Sequence, residues 1–555
     1  METVLIMEVS LIFLAAMVAL FLPESYIRGC RKYSIAFDRL SRRRRLSILL
    51  VFWVAFGGSM AVSLLIRIPE PEIHDEFSYL LAADTYASGR ITNPPHSLWP
   101  HFESIHIIQQ PTYASKYPPA QGLILALGQV VGGHPAVGAW LGIALSCAFI
   151  CWMLYAWVPH RWALLGGLIA ALNLGFFGYW SQNYWGGAMA AAAGAMVFGA
   201  LRHLLNQPTV GMSLTMGIGL IILANSRPLE GLISVLPVAA VLLISMFRLS
   251  SQSLLQLWFK KIVVPIGLLV SLGTVGMCYY NYRVTGKFWQ MPYQAYANNH
   301  PSTPIFLWSS KNWDRESQPT FYPGLLRYFE ERQKTLLTVE GFVDYKLTEL
   351  LVISIFFLRY MFLIPMIILP NIMGNRWNAF AVLTIALVFL VVFVQVQSYP
   401  RKVAPIAGLI IFVLIQCMRH LRIRRWRGKP TGRCFVEQLP VLLALSVLFS
   451  FHPLFQNSPL PCGQRRADLI HQLKKDPLPD LIIVRYGPNR YAHFEWVYNE
   501  ADIDASDVVW ARELGEERNQ ELIDYFKNRK IWFLKADGCS ESETTLLPYS
   551  TSYGK

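Results

Sequence analysis

Charged residues are scarce in this sequence. They make up 15% of its 555 residues, whereas a soluble domain typically carries about 25%. Hydrophobic residues make up 54%, and apolar runs at 51–65, 136–158, 262–278, 351–369 and 379–396 approach the roughly 20 residues that a helix needs to cross a bilayer. The composition excludes an ordinary soluble enzyme and predicts a multi-spanning α-helical membrane protein with about 11–13 transmembrane helices.

Acidic residues are fewer than basic ones, 35 against 49, and the formal net charge is +14. The basic excess lies mainly in two short clusters at 28–45 and 419–433, each between apolar runs, as is typical of cytoplasmic loops. No basic, aromatic-rich soluble domain accompanies the charge, so nucleic acid is not expected as a partner. The acidic start of the first 22 residues favours an additional span or interfacial helix over a cleaved signal peptide.

Placing the two basic clusters in the cytoplasm fixes the orientation of the chain in the membrane. A hydrophobic segment with a basic loop occupies 1–45, a membrane domain 46–455, and a soluble domain 460–555. The membrane domain carries two large outer loops, at 68–118 and 283–349. We therefore expect a multi-pass protein of the plasma (inner) membrane, with its active site and C-terminal domain facing the periplasm.

The C-terminal segment alternates between strand-like and helical patterns. Strands are predicted at 481–486, 507–511 and 531–534, and helices at 467–475 and 517–527. This alternation indicates a small parallel α/β layer, and because no glycine-rich phosphate loop follows the first strand, we interpret it as an accessory domain. Cysteines are few, eight in all. Cys462 and Cys539 bracket this domain and are a candidate disulfide if it lies outside the cytoplasm.

The first outer loop opens with two adjacent carboxylates, Asp75 and Glu76, after His74 and a predicted span. Beside a membrane, such carboxylates are costly to desolvate, and their pKa values rise unless a cation or a hydrogen-bond donor compensates. A carboxylate of this kind suits a general base that takes a proton from an incoming hydroxyl. A structural alternative stays open, in which Asp75 caps a helix predicted at 77–87.

Lys116 precedes Tyr117 and a Pro-Pro pair that begins an apolar helix. Its ammonium is therefore expected at the bilayer interface, at the depth of lipid phosphates, and lysine is a good point-charge partner for phosphate. The alternative is a lysine that extends to the lipid headgroups without a specific role.

The same loop also contains His101, Glu103 and His106. Histidine and carboxylate side chains can ligate a metal, but this spacing misses the one-face helical pattern of zinc hydrolases. We therefore favour contacts to a sugar or an acceptor. No cofactor is expected, and a divalent metal is left open without being predicted.

Three further polar segments are expected at the same membrane face. Their candidate residues are Arg227, Arg401 and Lys402 for a phosphate, and Asn183, Trp185 and Glu230, together with Tyr117, for a sugar or acceptor. Aromatic side chains stack on sugars, although an interfacial aromatic belt has the same composition. A base, cations for a phosphate leaving group and aromatics for a sugar together predict glycosyl transfer from a polyprenyl-phosphate donor.

The sequence resembles the GT-C superfamily of integral membrane glycosyltransferases, in particular the family 39 group of protein O-mannosyltransferases and aminoarabinose transferases. The resemblance rests on Asp75-Glu76 in the first outer loop, on Lys116-Tyr-Pro-Pro before an apolar helix, and on the helices behind them, over roughly 46–420. It implies an inverting transfer in which Asp75 activates the acceptor and Lys116 contacts the donor phosphate. Some relatives place a second acid in a later helix, but the corresponding stretch around Asn183 has none.

Two other classes of protein remain as alternatives. A transporter or flippase for a lipid-linked or anionic solute is also polytopic, but transporters usually place polar sites near the midplane and often contain inverted repeats. Here the polar groups collect in the outer loops and no repeat is evident. A membrane scaffold would leave the loop carboxylates and Lys116 without a role. The sequence names neither the sugar nor the acceptor, which is a glycan, a lipid or a protein.

Overall fold

The computed structural model describes residues 2–176, 179–249, 251–300, 305–309, 323–449, 462–487, 495–538 and 543–550. Most of these residues are helical. The helices up to residue 224 are α1 (Glu2–Phe21), α2 (Pro23–Gly29), α3 (Arg31–Arg42), α4 (Arg44–Leu65), α5 (His74–Ala87), α6 (Pro119–Gly132), α7 (Pro135–Trp157), α8 (His160–Ala170), α9 (Ala188–Asn206) and α10 (Val210–Ala224).

The remaining helices extend from the middle of the chain into the C-terminal domain. They are α11 (Pro228–Phe247), α12 (Gln252–Trp258), α13 (Val264–Thr285), α14 (Pro292–Asn299), α15 (Pro323–Leu336), α16 (Val339–Leu358), α17 (Leu363–Met366), α18 (Leu369–Ile372), α19 (Arg376–Phe393), α20 (Pro400–Val403), α21 (Ala407–Arg422), α22 (Thr431–Phe449), α23 (Cys462–Leu473) and α24 (Glu516–Tyr525).

Strands are short and few in the described part of the chain. They are β1 (Ile107–Ile108), β2 (Ala114–Ser115), β3 (Asp480–Tyr486), β4 (Val508–Arg512), β5 (Lys530–Ala536) and β6 (Thr544–Pro548). The first two form an antiparallel pair inside the first loop, which brings His106 and Lys116 to neighbouring positions.

The multi-spanning fold expected from the sequence is confirmed. Among the described residues, eight helices are long and apolar enough to cross a membrane, and two bent helix pairs raise the number to as many as ten. Two further helices fall short of a full span: α8 has 11 residues and continues as a π-helical turn (Ala171–Gly175), and the apolar helix α10 has 15 residues.

The centre of the bundle is formed by α7, α9 and the Pro400–Arg422 segment. In the apolar stretch of each of these helices, 72%, 78% and 89% of the residues are buried, against 11% in the peripheral Gln252–Thr285 segment. Lipid provides no hydrophobic driving force between helices, so their association depends on close packing. Small residues allow this packing because they let the helix backbones approach each other closely. A Cβ on Gly194 would stand 1.8 Å from the carbonyl oxygen of Pro405. Pro405 lies in the 3-10 turn Ala404–Ile406 between α20 and α21, so this contact holds that turn against α9.

The C-terminal domain contains the α/β layer expected from the sequence. Its strand order is β4-β3-β5-β6, with β3 parallel to β4 and β5. The fourth strand, β6, pairs antiparallel with β5 and was not predicted. This sheet does not stand apart from the membrane domain, because Leu481, Ile483 and Val509 share a buried apolar cluster with Leu81 of α5 and other residues of the first loop.

Candidate functional site

Asp75 lies in the first turn of α5, where several polar groups converge on its carboxylate. The Tyr117 hydroxyl donates to Oδ1 over 2.5 Å, and Nη2 of Arg401 lies 3.4 Å from the same oxygen. Nε2 of His106 lies 3.9 Å from Oδ2. These partners come from the first loop and from α20, so the site is assembled from segments that are far apart in the chain.

The carboxyl group of Asp75 is held in its ionised form. Burial alone would raise its pKa, but Arg401, His106, the Tyr117 hydroxyl and Lys116 outweigh burial and hold the pKa well below its usual value. A buried carboxylate needs a nearby cation to stay ionised, and Arg401 is that cation here. In this state Asp75 is an anion locked between donors, and its basicity depends on Arg401 staying paired with it.

Glu76 follows Asp75 in the sequence but faces away from the site. Its carboxylate accepts hydrogen bonds from the backbone N–H groups of Glu72 (2.9 Å), Ile73 (3.3 Å) and Tyr184 (3.1 Å). Burial raises its pKa to about 7. Because it joins the start of α5 to the loop before α9, Glu76 helps to hold Asp75 in place.

Lys116 is a buried cation surrounded by aromatic rings. Its Nζ lies 5.2, 4.9 and 4.6 Å from the ring centroids of Tyr117, Tyr293 and Tyr296, and the residue is 4% exposed. Within the described part of the chain, the ammonium has no hydrogen-bond acceptor and no carboxylate at ion-pair distance. Burial lowers its pKa to about 7 although Asp75 acts in the opposite direction. A bound anion would provide the hydrogen-bond acceptor and the negative charge that this ammonium lacks.

The guanidinium of Arg401 connects the carboxylate to an aromatic wall. It lies 4.3 Å from the ring centroid of Trp185 and 4.9 Å from that of Tyr399, and Trp185 packs edge-on against Tyr179 at 4.6 Å. Such cation–π contacts stabilise a partly desolvated cation. Trp185 therefore has a place in the site as a partner of Arg401, and its ring forms part of the wall.

Lys402 belongs to a polar cluster next to Arg401. Its Nζ donates to Oε1 of Gln395 and to the carbonyl oxygen of Gln397, both at 2.5 Å. Gln395 in turn donates to Oε1 of Glu230 over 3.2 Å. Arg227 is the N-cap residue directly before α11 and interacts electrostatically with Lys402. It makes no ion pair with any carboxylate of the described residues.

Three of the predicted site residues lie elsewhere. Nδ1 of His101 lies 2.8 Å from the carbonyl oxygen of Arg512 in the C-terminal domain. The Glu103 carboxylate is buried and lies 3.4 Å from Nε2 of His300. Asn183 accepts a hydrogen bond from the backbone N–H of Trp185 and so shapes its own turn. Among the described residues, no group of three or more His, Cys, Asp or Glu side chains is arranged to hold a metal ion.

The structure adds residues that the sequence analysis missed. Tyr293 and Tyr296 of α14 form two sides of the enclosure around Lys116, and the Tyr296 hydroxyl also accepts from the backbone N–H of His106. Their spacing of three residues places both on one helix face, which is the signal that could have identified them. Lys346 was also missed; its buried Nζ bonds Glu349 (2.7 Å) and the Gln395 carbonyl (2.7 Å).

The C-terminal domain contacts the first loop through charged groups as well as apolar ones. Arg512 of β4 forms a buried ion pair with Glu495 at 2.6 Å and donates to the Glu103 carbonyl oxygen at 2.5 Å. The backbone N–H of Ala501 donates to Asp84 of α5 over 2.7 Å. Cys462 is disulfide-bonded, and the predicted pairing falls on Cys539, which lies outside the described residues.

Comparisons with known proteins find a distant likeness to solved structures. No protein-family model matches the sequence, and no curated protein is a significant match. Solved structures do match. ArnT from Cupriavidus metallidurans in the apo state is 12% identical, with 92% of this chain and 93% of that chain covered and a TM-score of 0.46. ArnT bound to undecaprenyl phosphate is 11% identical over 91% and 93%, with a TM-score of 0.49.

A second group of similar structures comes from an archaeon. The Archaeoglobus fulgidus oligosaccharyltransferase, tethered with an acceptor peptide, is 11% identical over 88% of this chain and 68% of that chain, with a TM-score of 0.46. ArnT and this enzyme share the GT-C fold, the group that the sequence resembles. With TM-scores below 0.5 the likeness is distant, and this chain's substrate and chemistry have to be argued from its own site.

Proposed function

We propose that this protein is a membrane glycosyltransferase that moves a sugar from a polyprenyl-phosphate donor to an acceptor on the extracytoplasmic side of the membrane. The observation that carries the proposal is the charge balance at the site. Four cations, Lys116, Arg227, Arg401 and Lys402, face the carboxylates of Asp75 and Glu230. A third carboxylate, Glu349, also acts on Lys402 but is already paired with Arg332 and Lys346. Positive charge is left over, and the buried Lys116 ammonium has no anionic partner among the described residues. A donor phosphate matches this excess in sign and in hydrogen-bonding capacity.

The reaction follows from the positions of these groups. Asp75 takes the proton of an acceptor hydroxyl, and the acceptor oxygen attacks the anomeric carbon of the sugar. The bond from that carbon to the phosphate oxygen breaks, and the electron pair leaves with the polyprenyl phosphate. Lys116 and Arg401 stabilise the charge that develops on the departing phosphate. An attack from the side opposite the leaving group inverts the anomeric centre, as the family resemblance implies.

Because the pKa of Asp75 is low in the ligand-free protein, donor binding has to precede activation of the acceptor. In the ligand-free state Arg401 pairs with Asp75 and keeps the carboxylate a weak base. A donor phosphate competes for the same guanidinium, and once Arg401 turns to the phosphate, burial favours protonation of Asp75. The base would thus gain strength when the donor is bound, so acceptor activation is timed to a loaded site.

The test is sugar transfer in membranes supplied with a panel of radiolabelled polyprenyl-phosphate sugars. We expect Asp75→Asn to abolish transfer while donor binding persists, and Lys116→Ala to weaken donor binding. Asp344→Asn serves as the matched control, because Asp344 is an exposed carboxylate at the start of α16. Normal transfer by Asp75→Asn would remove the base from the mechanism. Movement of the lipid across the bilayer without transfer would favour a flippase.

A further inference from the structure

A second charged feature lies at the opposite end of the bundle. Helix α4 begins at Arg44 and ends at Leu65, just before the loop that carries Asp75, and its 22 residues extend about 33 Å. This length matches the roughly 30 Å hydrocarbon core of a bilayer. The start of α4, and helix α3 directly before it, therefore lie at the membrane surface away from the candidate site.

Helix α3 has the form of a helix that lies along a membrane surface. The chain turns by 100° between Leu5–Phe21 and Pro23–Gly29, so that the residues after the turn leave the direction of the first span. One face of α3 packs on α4 and α8, and the other exposes basic residues beside Tyr33 and Ile35. Basic charge interleaved with exposed apolar side chains is typical of interfacial helices.

A pocket of about 530 Å³ opens between α3 and α8. It is lined by Ser34, Ile35, Asp38, Arg39, Arg42 and Arg161. Three of these six side chains are guanidinium groups and only one is a carboxylate. The volume falls in the range of small-molecule sites, and the lining predicts an anionic occupant.

The carboxylates near the pocket are already occupied. Asp38 accepts from Arg42 at 3.0 Å and lies 3.3 Å from Nε2 of His160. Arg161 donates from Nη2 only to the neutral hydroxyl of Ser34, at 2.6 Å. Neither Arg39 nor Arg161 has a carboxylate at ion-pair distance among the described residues. Two guanidinium groups at one pocket are thus without a direct carboxylate partner in the described part of the chain.

A second carboxylate close by is shared among several arginines. Glu437 interacts electrostatically with Arg161, but its Oε1 is bonded by Arg433 at 2.9 Å and by Arg422 at 3.4 Å. The nearby arginines therefore add to the positive potential at the pocket. The pocket therefore carries an excess of positive charge that an anion would balance.

We propose that this pocket binds the headgroup phosphate of an anionic phospholipid, held by Arg39 and Arg161. Guanidinium groups match phosphate oxygens in bidentate geometry, and the pocket lies where headgroups of that leaflet are found. A zwitterionic headgroup brings its own ammonium into a region that is already positive, so an anionic lipid is preferred. The site is independent of the proposed sugar transfer and would anchor α3 to the bundle.

The experiment uses the purified full-length protein in detergent micelles with added lipid, measured by native mass spectrometry. We expect wild type to retain phosphatidylglycerol at least about tenfold better than phosphatidylcholine. Arg39→Gln, an exposed position at which a change is tolerated by the fold, should lower retention several-fold, and the double change with Arg161→Gln should lower it further. Arg31→Gln, an exposed arginine of the same helix outside the pocket, should retain the lipid as wild type does.

Three results would overturn the proposal. Equal loss in Arg31→Gln and Arg39→Gln would show diffuse attraction rather than a site. Equal retention of phosphatidylglycerol and phosphatidylcholine would remove the charge selectivity. Displacement of bound phosphatidylglycerol by millimolar inorganic phosphate would show that the pocket takes a soluble anion instead of a lipid headgroup.

Discussion

The pH dependence of donor binding provides a quantitative test of the role given to Lys116. Its ammonium is buried among tyrosine rings, and its pKa in the ligand-free protein is lowered to about 7. A phosphate anion interacts with the charged form and far less with the neutral amine. Donor affinity should therefore be constant below about pH 6 and fall as the pH rises above 7.

The size of the effect follows from the fraction of protein that is competent to bind. With a pKa of about 7, about 1% of Lys116 is protonated at pH 9. If only that form binds, the apparent Kd at pH 9 is about 100-fold above its value at pH 6, or about 2.7 kcal/mol. In the ligand-free protein Asp75 stays ionised over this pH range, because its pKa is held below the normal range. Any slope that remains in Lys116→Arg would therefore report proton uptake by Asp75 when the donor draws Arg401 away.

The assay is equilibrium binding of a polyprenyl phosphodiester donor to the purified protein between pH 6 and pH 9. A phosphodiester is chosen because a monoester has a second pKa of about 6 and would titrate as well. Lys116→Arg keeps its charge at pH 9, so its Kd should change only a few-fold. Lys287→Arg, at an exposed position of the second loop, should retain the wild-type slope. A constant wild-type Kd, or the same slope in Lys116→Arg, would refute the reasoning.

Further predictions concern the groups around Asp75. The raised pKa of Glu76 means that the folded wild type binds more protons than the unfolded chain between about pH 4 and about pH 7, so its stability falls as the pH rises through this range. Glu76→Gln should make this fall smaller. Melting temperatures measured across the pH range test this. Arg512→Ala should cost about 3–5 kcal/mol, because it removes the cation from a buried ion pair with Glu495. Arg512→Met combined with Glu495→Gln should recover most of the lost melting temperature. His106→Gln should lower kcat at least about tenfold with donor Kd unchanged; equal losses in both would assign His106 to binding.

The sequence was informative where the signal is local. Asp75 and Lys116 were identified because each is a charged residue next to a long apolar segment, where an unneeded charge is expensive. The α/β layer of the C-terminal domain followed from its strand and helix patterns. In both cases a window of about 20 residues contains the physical cause.

Contacts between distant segments were not predictable in this way. Lys116 meets Tyr296, and Arg512 meets Glu103, and no periodicity relates such positions. The different surroundings of the adjacent carboxylates Asp75 and Glu76 illustrate another limit. Successive helical residues point about 100° apart, so one carboxylate enters the site while the next turns to the backbone N–H groups behind it.

The strand and helix pattern of the C-terminal domain did not show which part of the protein this domain packs against. The sequence indicated an accessory unit, but Leu481 and Val509 share an apolar cluster with Leu81 of the helix that carries Asp75. Sheet strands bury one face against whatever layer is available, and the strand pattern does not say which layer that is. Only the folded chain shows that this layer is the first loop.

The central claim is tested most directly by single-turnover transfer with purified protein that has been loaded with a radiolabelled polyprenyl-phosphate sugar and then mixed with acceptor. The account predicts that wild type transfers the label to the acceptor, whereas Asp75→Asn binds the same amount of donor and keeps the label on the lipid. Label transfer at the wild-type rate by Asp75→Asn, or no transfer by wild type from any donor of the panel, would contradict it.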